Sequence, residues 1–474
     1  MKTDVFLKYP SLDEEKLDEL LYYEISNNNS KLIVLDDDPT GVQTVHDVLV
    51  CTNWSEKSIR KGFEDKSKLF FIMTNSRGMT AEETTSVHHQ IVANVAKVAR
   101  EMHVRYLYIS RSDSTLRGHY PLEPQLLKEG YEKAEKLSVD GEILCPFFKE
   151  GGRYTIDNVH YVKYGDELVP AAETEFAKDK TFGYSHSLIP AYVEEKNAGR
   201  YKKESVTCIS LDEIRSMDIE GITKKLMNVT GFNKVCVNAI DYSDIKVVSI
   251  AIYRAMAQGK IFMFRTAASL VKVMGGISDR PLLTRKEMIV EETSKGGLVI
   301  VGSHTQKTTA QLTELLKLED TVAIPFNSDL VLQGDEALDK EIERCLFLET
   351  QAILAGKTAI CFTSRKLLSF DNDTKEVALQ RSVKISNGVQ SLVSRLTIKP
   401  SFIIAKGGIT SSDIGVKALH VQYARVMGQI CFGIPVWKTD EGSKFPNIPY
   451  VIFPGNVGEI DTLRKAVEIL TGRS

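Results

Sequence analysis

Three carboxylates in a row, Asp36, Asp37 and Asp38, close the run KLIVL at residues 31–35 and are followed at once by Pro39, Thr40 and Gly41. Mutual repulsion makes such a triplet costly unless a cation, a donor or a substrate hydroxyl offsets it. A carboxylate here can act as general base on an alcohol or hold magnesium, although Asp is also an ordinary residue for the turn that ends a strand. A second run, Arg111-Ser112-Asp113-Ser114-Thr115-Leu116-Arg117-Gly118-His119, packs two guanidiniums, a carboxylate and three hydroxyls into nine residues. Its guanidiniums could bind a carboxylate in forked, bidentate fashion, or the run could simply be a capped helix start with surface arginines. Asn75-Ser76-Arg77-Gly78 offers a third arginine after another apolar run.

A different chemistry is suggested further along. Gly302-Ser303-His304-Thr305-Gln306-Lys307-Thr308-Thr309 follows an apolar strand pattern and opens a helix, so that backbone N–H groups and hydroxyls could receive phosphate oxygens. Lys406-Gly407-Gly408-Ile409-Thr410-Ser411-Ser412-Asp413 repeats the plan, and Pro454-Gly455-Asn456-Val457-Gly458 adds a third glycine-bearing loop. Each alone reads as a plain turn between strand and helix; three in one half of the chain favour a nucleotide. The Walker spacing and G-x-G-x-x-G are both absent, as are H-E-x-x-H and G-x-S-x-G, which disfavours a zinc hydrolase and the commonest α/β hydrolase. His88 and His89 fall in the middle of an amphipathic helix, while His119 and His160 lie nearer the polar loops.

The elements that must position these residues follow a β-α rhythm: short Val-, Ile- and Phe-rich runs alternate with helix-length amphipathic segments. The expected class is α/β, two α/β domains with mostly parallel or mixed sheets covered by helices. Strands are expected at residues 31–35, 69–74, 105–110 and 142–147, and Thr80 with Glu83 forms a capping box for a helix over 81–102. The first three of these strands hand over directly to Asp37 and Asp38, to Asn75 to Arg77, and to Arg111 to Asp113. Ligands of open α/β sheets bind at the carboxyl ends of strands, so the three endings could line one pocket. Residues 151–203 are irregular, with a hairpin over 154–162. The glycine- and proline-rich break at 275–281 places the domain boundary near 285, giving domains 1–285 and 286–474.

Composition narrows the classes. The 474 residues carry 60 Lys and Arg against 63 Asp and Glu, a net charge of −3 without the basic footprint that nucleic-acid binding requires. No apolar run approaches the roughly 20 residues of a membrane span, and the charged first residues offer no signal peptide. The seven cysteines are scattered with no C-x-x-C pair and read as reduced thiols. The expectation is a cytoplasmic protein with a small-molecule ligand, no nucleic acid and no membrane, with self-association into a homo-oligomer left open.

Taken together, Asp36-Asp37-Asp38-Pro39-Thr40-Gly41, Ser112-Asp113-Ser114-Thr115-Leu116-Arg117-Gly118, Pro146-Phe147-Phe148 with Gly152-Arg153-Tyr154-Thr155, Gly302-Ser303, Lys406-Gly407-Gly408-Ile409-Thr410 and Pro454-Gly455-Asn456 resemble the four-carbon acid sugar kinase family. The resemblance implies an acid-sugar-binding N-terminal domain, for threonate, erythronate or a 3-oxo relative, and a C-terminal domain binding ATP. It puts Asp37, Asp38, Arg77, Arg111, Ser112, Asp113, Ser114 and Arg117 at the acid-sugar site. It puts Ser303, Gly407, Gly408, Ile409, Thr410 and Gly455 at the ATP site. The chain departs from the family pattern in its triple aspartate, in Pro39, in Arg111 where a lysine is common, and in Lys406 and Ile409. The implied reaction is phosphoryl transfer from ATP, with Mg2+ bridging its phosphates, to a terminal hydroxyl. Asp37 or Asp38 would accept the proton, and Arg77 with Arg111 or Arg117 would clamp the substrate carboxylate. The protein ligands of the metal are unassigned. The rival readings are a magnesium-dependent lyase or aldolase on a hydroxy acid and a non-catalytic two-domain metabolite sensor.

Overall fold

The computed structural model describes residues 1–365, 368, 370, 373, 375–455 and 457–473. The chain divides into two compact units, Met1–Asp279 and Arg280–Ser474. Among the described residues no helix is long and apolar enough to cross a membrane.

The strands of the first unit are β1 (Lys31–Asp36), β2 (Leu49–Cys51), β3 (Leu69–Met73), β4 (Tyr106–Arg111), β5 (Gly141–Cys145), β6 (Arg153–Ile156), β7 (Val159–Tyr164), β8 (Glu167–Pro170), β9 (Thr207–Ile209), β10 (Asn233–Val237) and β11 (Phe262–Thr266). Eight of them form a sheet in the order β2-β3-β1-β4-β11-β5-β10-β9, and every neighbouring pair is parallel. Every residue of β1, β3 and β4 is buried, the signature of strands covered by helices on both faces and the reason their sequences are continuously apolar. The capping box of Thr80 and Glu83 is present and opens the helix Ala81–Met102.

The irregular stretch carries a separate antiparallel sheet, β6-β7-β8. Its first hairpin turns at Asp157 and Asn158, both at positive φ (50° and 65°), as a two-residue turn matched to strand twist requires. β5 ends two residues short of the expected strand, and Phe147 is buried beyond it.

The second unit contains β12 (Leu298–Val301), β13 (Thr321–Phe326), β14 (Thr358–Thr363), β15 (Ile403–Lys406), β16 (Tyr423–Cys431), β17 (Ile434–Thr439) and β18 (Pro449–Phe453), ordered β13-β14-β12-β15-β18-β17-β16. The first five pair in parallel and β16 to β18 are antiparallel, so this sheet is mixed. β12 packs beneath the helices Gln306–Leu315 and Thr462–Thr471 through Val299, Val301, Leu312, Leu315, Leu463 and Val467. The fold class is therefore the α/β class that the alternating pattern indicates, with a wholly parallel sheet in one unit and a mixed sheet in the other.

Candidate active site

Parallel strands place the ends of β1, β3 and β4 side by side, and the register aligns Asp36 with both Met73 and Arg111. The polar residues that follow each strand consequently share one edge. Arg77 donates to Asp37 twice, from Nη2 to Oδ1 (2.6 Å) and from Nε to Oδ2 (3.2 Å), and from Nη1 to Asp38 Oδ2 (3.2 Å). Ser112 Oγ also donates to Asp37 Oδ2. Arg111 Nη1 donates to Asp36 Oδ1 at 2.9 Å. Arg117 Nε donates to Asp113 Oδ2 at 2.7 Å, Thr115 donates to the same oxygen, and Arg77 Nη1 lies 3.9 Å from Asp113 Oδ1. The arginines that the sequence suggests as carboxylate clamps are thus each engaged with the protein's own carboxylates, because four aspartates and three guanidiniums share so small a volume.

The aspartates differ in surroundings. Asp36 and Asp37 are buried, whereas the side chain of Asp38 is 22% exposed. Burial pushes the Asp36 carboxyl up to about 7, against the pull of Arg111. Burial acts in the same direction on Asp38, but Arg77 and the Thr40 side-chain and backbone donors, both to Oδ1, outweigh it and hold the carboxyl below its usual range. At Asp113 burial likewise opposes ionisation, but Arg77 and Arg117 overcome it and hold the carboxyl far below the usual carboxylate range.

Two glycines make this closeness feasible. A Cβ at Gly41 would lie 1.9 Å from Asp36 Oδ2. At Gly118, where φ is +102°, a Cβ would lie 2.7 Å from Ser112 Oγ, 2.8 Å from Arg265 Nη2 and 3.0 Å from Asp37 Oδ2.

Ser114 is buried and is held through its backbone: His160 Nε2 donates to its carbonyl (2.7 Å), while His160 Nδ1 faces Thr155 Oγ1 (3.0 Å). Burial pushes His160 down to about 4, so this ring is a neutral strut between hairpin and loop. Arg265 and Glu123 escaped the sequence reading. Arg265, on β11, donates to Glu123 Oε2 (2.6 Å), Ser110 Oγ (3.1 Å) and the Arg117 carbonyl (3.1 Å). Glu123 also accepts from Ser76 Oγ, which ties the Arg77 loop to the Arg117 loop from below. An arginine inside the otherwise apolar run FMFRT was the available signal.

In the second unit a cavity of about 340 Å3 opens over the ends of β12, β14 and β15. Ser303, Gly407, Gly408, Ile409, Thr410 and Gly455, the six residues that the resemblance puts at the ATP site, all line it, whereas Thr305, Lys307, Thr308 and Gly458 of the same loops do not; Asn456 lies outside the described residues. Thr308 Oγ1 donates to Ser303 Oγ (3.1 Å), and Thr305 caps the helix Gln306–Leu315 by accepting from Thr308 N. Ile385, Val389, Ile414 and Leu368 add aliphatic side chains to the cavity lining, alongside Ser382 and Ser386. Asp413 also lines the cavity and is paired with Lys417 (2.8 Å) and Ser386 Oγ (3.1 Å). Gln390 and Arg365 were not anticipated; the latter donates from Nη1 to the Ser303 carbonyl at 2.7 Å. A lining that combines hydroxyls and glycines with aliphatic side chains suits a ligand with both an anionic and an apolar part.

Among the described residues no three His, Cys, Asp or Glu side chains are grouped so as to hold a metal ion by themselves. Magnesium asks less than such a cage: it keeps several waters and binds through substrate phosphates with one or two carboxylates. Asp413, the one carboxylate among the described lining residues, together with the hydroxyls fits an ion that arrives on a nucleotide.

Comparison with known proteins finds two domain models along the chain. Residues 32–274 match the model of a sugar-binding N-terminal domain, and residues 298–463 that of a nucleotide-binding C-terminal domain. Among solved structures, the chain is similar to protein HI1011 of Haemophilus influenzae, of the DUF1537 family, at 16% identity and TM-score 0.63, covering 92% of this chain and 100% of that one. It is also similar to a Salmonella typhimurium LT2 protein provisionally named a tRNA synthase, at 14% identity and TM-score 0.67, over 92% and 98% of the two chains. At these identities the likeness is one of fold. No curated protein matches the chain. With a sugar-binding domain followed by a nucleotide-binding domain along nearly its whole length, the chain belongs to the family defined by this sugar-binding N-terminal and nucleotide-binding C-terminal domain pair.

Proposed function

We propose that the protein transfers the γ-phosphoryl group of ATP to a terminal hydroxyl of a four-carbon acid sugar of the threonate, erythronate or 3-oxo-tetronate type. The observation that carries this reading is the joining, in one chain, of a sugar-binding domain whose strand ends bear carboxylates and guanidiniums with a nucleotide-binding domain bearing a hydroxyl- and glycine-lined cavity. Phosphoryl transfer asks mainly for positioning and for neutralisation of charge.

The exposure of Asp38 favours it over Asp37 as the acceptor of the hydroxyl proton. Its Oδ2 has one partner, Arg77 at 3.2 Å, whereas both oxygens of the buried Asp37 are engaged by Arg77 and Ser112. Asp37 then fixes the orientation of Arg77. Of the arginines, Arg117 is the best substrate clamp: its Nε is committed to Asp113, but Nη1 stands 3.7 Å from Asp179, beyond hydrogen-bond distance, and a quarter of the side chain is exposed. Arg111, buried on Asp36, supports the aspartate triplet from within.

In the other unit, Ser303, Thr410 and the backbone of Gly407, Gly408 and Gly455 would receive the phosphates, with Ile409 and the aliphatic lining residues against the base. Magnesium bound to those phosphates would supply charge neutralisation, with Asp413 as the nearby carboxylate.

The test is ADP release by the purified protein with ATP and magnesium, against D- and L-threonate, D- and L-erythronate, their 3-oxo forms and longer aldonates. Acid-dependent release led by one four-carbon acid is the expected result. Release that no acid stimulates would overturn the kinase; cleavage of a hydroxy acid without ATP would identify a lyase, and binding of both ligands without turnover a sensor.

A further inference from the structure

Lys406 is the last residue of β15, directly before the Gly407-Gly408 loop, and is fully buried. Its Nζ donates to the carbonyls of Pro454 (2.6 Å) and Gly455 (3.2 Å) and stands 4.1 Å from the centre of the Phe453 ring. Among the described residues no carboxylate pairs with it. A buried ammonium without a counter-ion is expensive, and carbonyl dipoles with an aromatic face offset only part of that cost.

The surroundings add positive charge. Lys307, on the helix Gln306–Leu315, repels the ammonium. Among the described residues Arg365 bonds only to neutral acceptors: the carbonyls of Thr363 (2.9 Å), Ser303 (2.7 Å) and Val301 (3.4 Å) and Thr363 Oγ1 (2.8 Å). His304 Nε2 lies 3.4 Å from the same hydroxyl. Among the described residues Asp413 is the one carboxylate on the cavity wall, and it is occupied by Lys417 and Ser386. The carbonyls that Lys406 and Arg365 grip include those of Gly455 and Ser303, two residues that line the cavity.

We propose that Lys406 is a positioning residue for the nucleotide: anchored on the carbonyls of Pro454 and Gly455, it supplies from beneath the glycine loop the positive charge that a bound polyphosphate completes. The proposal rests on reading this cavity as the nucleotide site. It has a thermodynamic consequence. Burial, with Lys307 adding to it, holds the Lys406 ammonium down at about 7 in the free protein. A polyanion at the loop favours the charged form, so above that pH binding must take up a proton, and affinity must fall as pH rises.

The experiment is calorimetric titration of MgADP into the full chain at about pH 8 and about pH 9, above the phosphate's own ionisation, in buffers of different ionisation heat. The expected wild-type result is uptake of most of a proton per ADP bound and an affinity falling up to about tenfold per pH unit. Lys406→Met should weaken binding at least about tenfold and abolish the uptake, whereas Lys406→Arg should bind with no uptake and little pH dependence. Wild-type binding without proton uptake, together with unchanged affinity in Lys406→Met, overturns the proposal and leaves the nucleotide reading intact. If neither variant folds, the wild-type proton inventory decides alone. Absence of MgADP binding to the wild type overturns the nucleotide reading and this proposal with it.

Discussion

Arg77 and Asp37 form a two-pronged ion pair across 40 residues of sequence, with Nη2 and Nε of the guanidinium on the two carboxylate oxygens. Because Asp37 is buried and Arg77 is not, the pair is a lever: the aspartate fixes the guanidinium, and the third nitrogen of that guanidinium holds Asp38.

Removing Arg77 strands a buried charge. Arg77→Ala should destabilise the first unit by about 3–5 kcal/mol, the cost of leaving one partner of a buried ion pair alone. Arg77→Lys should restore part of the stability but little activity, since an ammonium cannot reproduce the fork. Denaturant melts alongside acid-dependent ADP release separate the two effects; equal stability and activity for Arg77→Lys and wild type would show that the fork is immaterial.

Asp38→Asn should lower kcat by about a hundredfold or more, with a change in melting temperature of no more than a few degrees, because the side chain is partly exposed and the amide oxygen can still accept from the Thr40 donors. Asp37→Asn should harm folding as well as turnover. A kcat for Asp38→Asn within about threefold of wild type would remove Asp38 from the proton-acceptor role.

At Gly118 even a methyl group is too much. Positive φ and three polar atoms within 3.0 Å of the added Cβ mean that Gly118→Ala must displace Ser112, Arg265 or Asp37. A loss of about 1–3 kcal/mol and at least about tenfold in kcat/KM is expected. Activity unchanged in a properly folded Gly118→Ala would show that the loop has room the structure denies it.

Glu349 is buried, with Oε1 receiving the Cys361 thiol at 2.7 Å and Oε2 without a partner among the described residues. Burial pushes its carboxyl up to about 8. Between the ordinary value of 4.5 and about 8 the folded chain retains a proton that the unfolded chain has lost. Stability from this group is therefore complete below about 4.5 and lost as pH rises towards 8, at most about 1.4 kcal/mol per pH unit. Glu349→Gln should flatten the second unit's melting profile between about pH 5 and 8. A wild-type profile no steeper than the variant's would contradict the assignment.

The parallel strands were readable because burial on both faces writes continuous apolar runs, as in LFFIM at β3 and LVIV at β12. The strand β13 escaped because it lies at the end of the sheet order, is only partly buried and contains Pro325, which leaves no such run. The antiparallel hairpin of β16 and β17 alternates buried with half-exposed positions over much of β16 and was equally faint. At the strand ends, residue types announced the cluster of aspartates and arginines, but not who holds whom. That Arg77 serves Asp37 while Arg111 serves Asp36 depends on register between β1 and β4 and on a loop whose Asn75 adopts φ of 56°, neither of which composition records. Arg265 announced itself only as an arginine inside an apolar run, and its pairing with Glu123 was not legible because their meeting is a product of tertiary packing across 142 residues.

The mesh of aspartates and arginines also constrains how such a site can change. Asp36 shares Arg111, Arg77 is shared by Asp37 and Asp38, and Arg117 with Asp113 reports back through its carbonyl to Arg265. Substitutions among residues joined this way are strongly non-additive. A new acid specificity is therefore hard to reach one replacement at a time, since each first step passes through an unpaired buried ion. The accessible routes are paired replacements, or changes at the exposed rim around Asp38 and Arg117, which makes sequence covariation among these positions, more than identity at any one, the trace that divergent specificity should leave.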